Sequence, residues 1–466
     1  MDVKIPRLVI GGLSGDSGKT VVSLGLLAGL RQRGLGVSVF KKGPDYIDAA
    51  WLGKLAGAVC RNLDTYMVEP DEVYESFVSH AAGADVAVVE GNRGLFDGRD
   101  VEGANSTAEL AKLLRAPVVL VVGASKTTRT IAAVVKGCQS FCPELDIAGV
   151  VLNKVAGKRH ERVLTDAIGK YCGLPVLGVV PRMDDGPGLI GSRHLGLVTP
   201  AESGEDADLE ARLTAIAGHL DVDGLLDAAR RAAPLPGRER RRPPETPAKV
   251  KVGYFKDTVF TFYYPENLEA LEAHGAELVP VSSLDDASLP DIDALYIGGG
   301  FPETHAGRLA QNGSMMESVR AAAEGGLPVY AECGGLIYLS RSLTWKGDRC
   351  PMAGVFPVDL VMRPRPAGHG YARLLVDRPN PFFEVGAAIK GHEFHYSCLT
   401  AAPEESMTCM RVETGTGLGE GRDGLLYKNT MACYTHIHAD AVKDWAPRLV
   451  ASAAVRRGRM EKPLHI

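Results

Sequence analysis

The chain has 466 residues, 45% hydrophobic and 23% charged, proportions that exclude disordered, collagen-like and coiled-coil classes. At about 150 residues per domain, this length predicts two or three domains with cores of their own. Fifty-two basic residues against 57 acidic ones leave a net charge of −5, which offers no broad positive field for nucleic acid.

No apolar run reaches the roughly 18 residues of a membrane span; the longest is PVVLVVGA around residues 117 to 124. A glycine-rich strand-to-helix element begins by residue 9 and leaves no room for a secretory leader. Nine cysteines, at 60, 138, 142, 172, 333, 350, 398, 409 and 433, form no repeated CxxC pairs. Reduced thiols in a cytoplasmic protein are therefore expected, rather than a disulfide framework or a zinc site.

In chain order, RLVIGGL (7 to 13), GVSVFKKG (36 to 43), DVAVVEG (85 to 91), APVVLVVG (116 to 123), IAGVVLNKV (147 to 155) and LPVLGVV (174 to 180) read as buried strands alternating with helical patterns. That alternation predicts a doubly wound parallel α/β sheet. The first strand runs into GLSGDSGKT, where Gly12, Gly15 and Gly18 let backbone amides turn toward a polyphosphate. Lys19 can reach the outer phosphates and Thr20 can offer a hydroxyl to Mg²⁺. Five residues separate Gly12 from Gly18, one more than the common spacing of such loops.

Carboxylates at strand C-termini of a doubly wound sheet face the ligand crevice. Asp45 and Asp48 in KKGPDYID, and Glu90 and Asp97 in VVEGNRGLFDG, are thus candidates for metal ligation or substrate orientation. Asn153 and Lys154 end the VVLNKV run, where they either meet a nucleotide base or form a turn.

Residues 232 to 249, AAPLPGRERRRPPETPAK, hold five prolines and four clustered arginines without apolar periodicity, which predicts a linker between domains at 1–231 and 250–466. Beyond it VKVGYFKD (250 to 257), ALYIGGG (294 to 300) and LPVYAECGG (327 to 335) restart the strand pattern. In the last of these, a strand runs into Cys333 and two glycines, the layout of a nucleophile elbow whose following amide, on Gly334, serves an oxyanion hole. Gly299 and Gly300 of the triple glycine after the preceding strand are further oxyanion candidates. The thiol needs a base, and His436, His438, His392 and His395 are available. Neither histidine pair, His436 with His438 or His392 with His395, is read as part of a zinc site, for want of partners at suitable spacing.

A phosphate loop joined to a cysteine nucleophile suggests a division of labour. ATP converts a carboxylate into an activated acyl group, and the cysteine hydrolyses glutamine to supply ammonia. The same sequence resembles the cobyrinate a,c-diamide synthase family over nearly its whole length. The resemblance lies in the long phosphate loop, KKGPDYID, EGNRGLFDG, GSRHLGL (191 to 197), FYYPENLEAL (262 to 271), GGGFPE, AECGGLIYL, GHEFHYS and THIH. It implies an N-terminal domain like that of dethiobiotin synthetase and a C-terminal class I glutamine amidotransferase-like α/β domain. It further implies amidation of the a and c acetates of a corrinoid, with two ATP and two glutamine consumed.

On that resemblance Cys333 is the nucleophile and His436 its base; Asn153, from its place at the strand end, is counted with the ATP-binding residues. Thr20, Glu90 and Asp45 match Mg²⁺ and phosphate positions, while Asp45, Asp48 and Asp97 match positions near the substrate carboxylates. Where ordinary glutamine amidotransferases carry a glutamate two residues after the catalytic histidine, this chain has His438, so a dyad is the simpler expectation. Asn92 and Arg93 replace residues of the commoner VMGLYDG form and alter the expected substrate pocket. Cobalt, nickel and metal-free rings are not separated by these motifs, and they leave room for a homodimer. A partitioning-type ATPase switch accounts for the first half but not for the cysteine elbow.

Overall fold

In a computed structural model, residues 2–182, 191–193, 196–203, 207–237 and 249–460 are described. The chain forms two compact units, one from residues 1–65 and 69–241, the other from 66–68 and 242–466. The arginine cluster at 238–242 and part of GSRHLGL lie outside the described residues.

The first unit alternates strand and helix: β1 (Arg7–Gly12), α1 (Lys19–Gln32), β2 (Val37–Lys42), α2 (Tyr46–Ala56), β3 (Arg61–Leu63), α3 (Pro70–Ala81), β4 (Val86–Glu90), α4 (Thr107–Leu113), β5 (Val118–Gly123), α5 (Thr130–Phe141), β6 (Ile147–Val155), α6 (Lys158–Cys172) and β7 (Val176–Pro181). Helices α7 (Ala207–Ala217) and α8 (Val222–Arg230) follow. The seven strands form one parallel sheet in the order β3-β2-β4-β1-β5-β6-β7.

Every second strand residue, such as Leu8, Ile10, Val86, Val88, Val119 and Val121, packs in one cluster with Leu24 and Leu27 of α1, Trp51 of α2 and Leu225 of α8. The alternate residues, such as Val9, Val89, Val118 and Leu120, are just as buried, so both faces of the sheet are covered. Each such side chain contributes about 1.5–3 kcal/mol of burial. The strand order reverses at β1, and the strand ends there define the crevice of a doubly wound sheet. Leu235 of the 232–249 segment is buried, and Leu235–Pro236 pairs antiparallel with Asp2–Val3.

The second unit contains β8 (Val250–Phe255), α9 (Pro265–Ala273), β9 (Ala276–Val281), β10 (Ala294–Ile297), α10 (Gly313–Glu324), β11 (Val329–Glu332), α11 (Gly334–Leu339), β12 (Gly368–Val376), β13 (Ala388–His395), β14 (Thr408–Thr414), β15 (Arg422–Tyr427), β16 (Thr430–Cys433) and α12 (Trp445–Met460). A nine-stranded sheet runs β9-β8-β10-β11-β16-β15-β14-β12-β13. The first five strands are parallel and the rest antiparallel. A smaller four-stranded sheet involves residues 342–362 and 397–399. No helix among the described residues is long and apolar enough to cross a membrane.

Candidate functional sites

The first site gathers at the C-terminal ends of β1, β2, β4 and β6. Between β1 and α1 the chain makes a tight loop in which only some glycines are obligatory. Gly18 adopts φ +92°, and a Cβ there would stand 1.9 Å from Asn153 Nδ2. A Cβ on Gly12 would meet Ser17 Oγ at 2.1 Å, whereas one on Gly15 would meet nothing within 4 Å. Asn153 is buried against the loop, its Nδ2 donating to the Ser17 carbonyl at 3.0 Å. Lys19 reaches back across the loop, donating to the carbonyls of Ser14 (2.8 Å) and Arg93 (2.7 Å). Arg93 presents that carbonyl from a left-handed backbone, φ +52°. Burial first, and the nearby Lys41 ammonium second, push Lys19 down to about 8.

Below the loop, Lys41 at the end of β2 is buried and donates to Asp48 Oδ2 and Glu90 Oε1, both at 2.6 Å. Burial alone would lower its pKa, yet Asp48 and Glu90 hold it well above the usual lysine range. Burial raises Glu90, while the Lys41 ammonium outweighs burial at Asp48 and keeps that carboxylate low. The Thr20 hydroxyl donates to Glu90 Oε1 at 2.9 Å. Glu90 Oε2 is buried with no hydrogen-bond partner. A hydroxyl beside an orphaned carboxylate oxygen is the hard-donor chemistry Mg²⁺ takes, with phosphate and water completing its shell. Among the described residues no three His, Cys, Asp or Glu side chains form a metal cage by themselves.

Asp45 caps α2, its Oδ1 accepting the Asp48 amide at 2.8 Å. Enclosure of that carboxyl, followed by the Asp48 charge, pushes it up to about 7. Asp97 is exposed and accepts the Gly94 amide at 2.8 Å, closing the turn that carries Arg93. Thus Thr20, Lys41, Asp48 and Glu90 form one network, and Asp45 is tied to it through the Asp48 amide. Asp97's hydrogen bond instead belongs to the neighbouring turn. Lys154 donates to the Asp16 carbonyl at 3.2 Å.

The second site lies in the other unit. Cys333 joins β11 to α11 at φ +46°, ψ −95°, with its amide donating to the Cys433 carbonyl of β16 at 2.7 Å. Helix α11 starts hard against the triple-glycine turn, since a Cβ on Gly334 would stand 2.9 Å from the Gly300 amide nitrogen. Gly300 has φ +157° and Gly299 lies against the His436 ring, where a Cβ would meet Cε1 at 2.5 Å. Cys333, His436, Gly299, Gly300 and Gly334 therefore border one turn. Burial, then Glu303 and Glu332, push the Cys333 thiol far up, so its proton needs a nearby acceptor.

The segment bearing His436 is anchored along its length. Asp423 accepts the Tyr434 and Thr435 amides, and the His436 amide and carbonyl pair with His392. Asn267 of FYYPEN holds the Ile437 carbonyl and the Ala439 amide. His392 stacks on His436 at 4.9 Å and is held well below the usual histidine range by burial, then by the other histidines. His395 lies elsewhere, its Nδ1 on the Ser397 carbonyl and its ring stacked on Tyr434.

Two residues escaped the sequence reading. Lys41 sits inside the quoted KKGPDYID motif, and Glu332 immediately precedes Cys333; its carboxylate oxygen stands 3.4 Å from His436 Nδ1. The available signal was a charged residue ending an otherwise apolar buried strand, which burial tolerates only with a partner.

A glycine-rich loop at the strand ends of one unit and a cysteine at a strand-to-helix joint in the other give the protein the layout of a nucleotide-binding half joined to a glutamine amidotransferase half. Residues 8–190 match the CobQ/CobB/MinD/ParA nucleotide binding domain, and residues 251–443 the CobB/CobQ-like glutamine amidotransferase domain. Cobyrinate a,c-diamide synthase of Magnetococcus marinus is 44% identical over 99% of this chain and 100% of its own. That of Archaeoglobus fulgidus is 41% identical over 98% and 99%, and that of Listeria innocua 39% over 93% and 96%. A solved glutamine amidotransferase overlaps 44% of this chain and 98% of its own at 20% identity and TM-score 0.31, a likeness too weak to carry weight. The chain belongs to the cobyrinate a,c-diamide synthase family.

Proposed function

We propose that this chain converts the a and c acetate side chains of cobyrinate, or of metal-free hydrogenobyrinate, to amides in cobalamin biosynthesis. The carrying observation is the presence in one chain of a buried Lys41–Glu90 pair with Asp48, beside the loop that Lys19 spans, and of a Cys333 elbow bordered by His436 and three glycines.

In the second unit Cys333 Sγ attacks the amide carbon of glutamine. His436 accepts the thiol proton and returns it to the departing ammonia, and water cleaves the thioester to glutamate. The amides of Gly299, Gly300 and Gly334 supply donors for the oxyanion. In the first unit the γ-phosphoryl of ATP passes to a substrate carboxylate, releasing ADP. Ammonia then attacks the acyl phosphate carbon and expels phosphate.

Lys41, held protonated by Asp48 and Glu90, is a fixed cation for the transferring group, and Lys19 gains its charge fully when phosphate replaces the loop carbonyls. Mg²⁺, held by Thr20 and Glu90 with Asp45 close by, would neutralise phosphate charge when bound. Asp45, Asp48 and Asp97 are assigned to the substrate side, Asp97 through the turn it closes. Nine free cysteines accord with a reducing, cytoplasmic setting.

Cobyrinate, hydrogenobyrinate and nickel sirohydrochlorin offered in parallel and followed by mass spectrometry decide the ring: two amides gained on a corrinoid are expected, and amidation of the nickel ring alone overturns the proposal. Cys333→Ala is expected to abolish glutamine-driven amidation and spare the ammonia-driven reaction. Lys19→Ala is expected to remove ATP turnover while leaving glutaminase activity. Unchanged ATP turnover would refute the crevice assignment.

A further inference from the structure

The place two residues beyond His436, where an orienting carboxylate is usual, holds His438, and His438 is engaged elsewhere. Its Nε2 lies 3.5 Å from Glu266 Oε2, and its Nδ1 accepts the Asp440 amide at 3.2 Å. His436 Nδ1 stands instead 3.4 Å from Oε2 of Glu332, with both side chains at most 3% exposed. The opposite edge of the ring, Cε1 and Nε2, faces Gly299.

We propose that Glu332 is the positioning residue of the thiol–imidazole pair: its carboxylate keeps the proton of neutral His436 on Nδ1, leaves Nε2 as the base, and stabilises the imidazolium formed when Cys333 loses its proton. This rests on the assignment of Cys333 and His436 above. The proton balance is simple: it moves from Sγ to Nε2, later goes to ammonia, and Glu332 stays ionised throughout.

The surroundings of Glu332 suit that task. Its Oε1 accepts the Tyr330 hydroxyl (3.2 Å) and the Ile437 amide (3.1 Å), and its Oε2 accepts the Tyr296 hydroxyl (3.1 Å). One carboxylate therefore faces His436 Nδ1 and holds the backbone next to it. Burial holds both tyrosines well above their usual range, so they remain donors. Other titratable neighbours include Tyr263, packed edge-on against Tyr296, His392, stacked on His436, and Cys433, beside Tyr330. In a continuous strand Glu332 and Cys333 would point to opposite faces. The left-handed joint at Cys333 breaks that alternation and lets adjacent residues serve one imidazole.

The test uses full-length Glu332→Gln, Glu332→Asp, His436→Ala and Cys333→Ala proteins. Glutaminase kcat/KM, ammonia-driven amidation and the pH profile of Cys333 alkylation by iodoacetamide are measured. For Glu332→Gln, glutaminase is expected to fall by about 10²- to 10⁴-fold, with ammonia-driven amidation retained. Its alkylation should lose the neutral-pH phase and keep only the alkaline thiol phase, as in His436→Ala. Glu332→Asp should be intermediate in rate, with its neutral phase displaced. A wild-type alkylation profile in Glu332→Gln overturns the proposal, since a structural plug would leave that profile alone. Should Glu332→Gln also lose ammonia-driven amidation, the Asp variant decides: a displaced neutral phase supports the proposal and a coincident one overturns it. Glutaminase activity surviving in Cys333→Ala would defeat the nucleophile assignment instead.

Discussion

Lys41 places one ammonium between two carboxylates, and that arrangement sets the charge state of the whole crevice. Removing the lysine would leave Asp48 and Glu90 uncompensated, a loss of about 3–5 kcal/mol for a buried pair. Asp45 titrates on the rim of this network, and its sign is the reverse of a salt-bridged carboxylate. Its native pKa is raised to about 7, above the unfolded value. Between the two values the folded state binds the extra proton, so this group's contribution to stability is present at acid pH and is lost as pH rises through about 7. Asp45→Asn is therefore expected to flatten the decline in ATP-free melting midpoint between about pH 4 and pH 7; an undiminished decline would disprove the assignment. The sequence displayed Asp45, Asp48 and Glu90 at strand ends, where crevice carboxylates belong. It hid Lys41 because a lysine in a strand reads as a solvated residue until its partners are known.

The loop between β1 and α1 looks in sequence like three equivalent glycines, and its geometry separates them. Gly18 combines a left-handed φ with a side chain in the way, so Gly18→Ala carries about 1–2 kcal/mol of backbone strain plus displacement of Asn153. Gly15 faces open space and has no such φ. Titration calorimetry is expected to show nucleotide affinity lowered at least tenfold by Gly18→Ala and nearly unchanged by Gly15→Ala; equal effects would mean the loop reshapes around the nucleotide. The six strands read in the first half all appear within a few residues, because parallel strands buried on both faces are continuous apolar runs. The antiparallel half of the second sheet was not legible: GHGYARLLV and AIKGHEFH mix glycine, histidine and charge with apolar residues and bury only parts of their length. Glu332 was illegible for a related reason, since its partner His436 is 104 positions away along the chain and meets it through the pairing of β11 with β16.

At the scale of the molecule, the core around α1, α2 and α8 shares no residue with the two clusters that pack the second sheet. Stability changes at the cysteine elbow should therefore fall on one calorimetric transition, and ATP should raise the other by mass action. Cys333→Gly relieves the left-handed backbone that Cys333→Ala retains, a difference of about 1 kcal/mol. The glycine variant is expected to melt roughly 2–4 °C above the alanine variant in that transition; equal midpoints would show the joint to be unstrained. The strand-to-helix joint thus favours a residue with no side chain, and the thiol occupies it against that preference. The proposed nucleophile is held by its packing in the core of the second unit at a joint whose backbone alone would favour glycine.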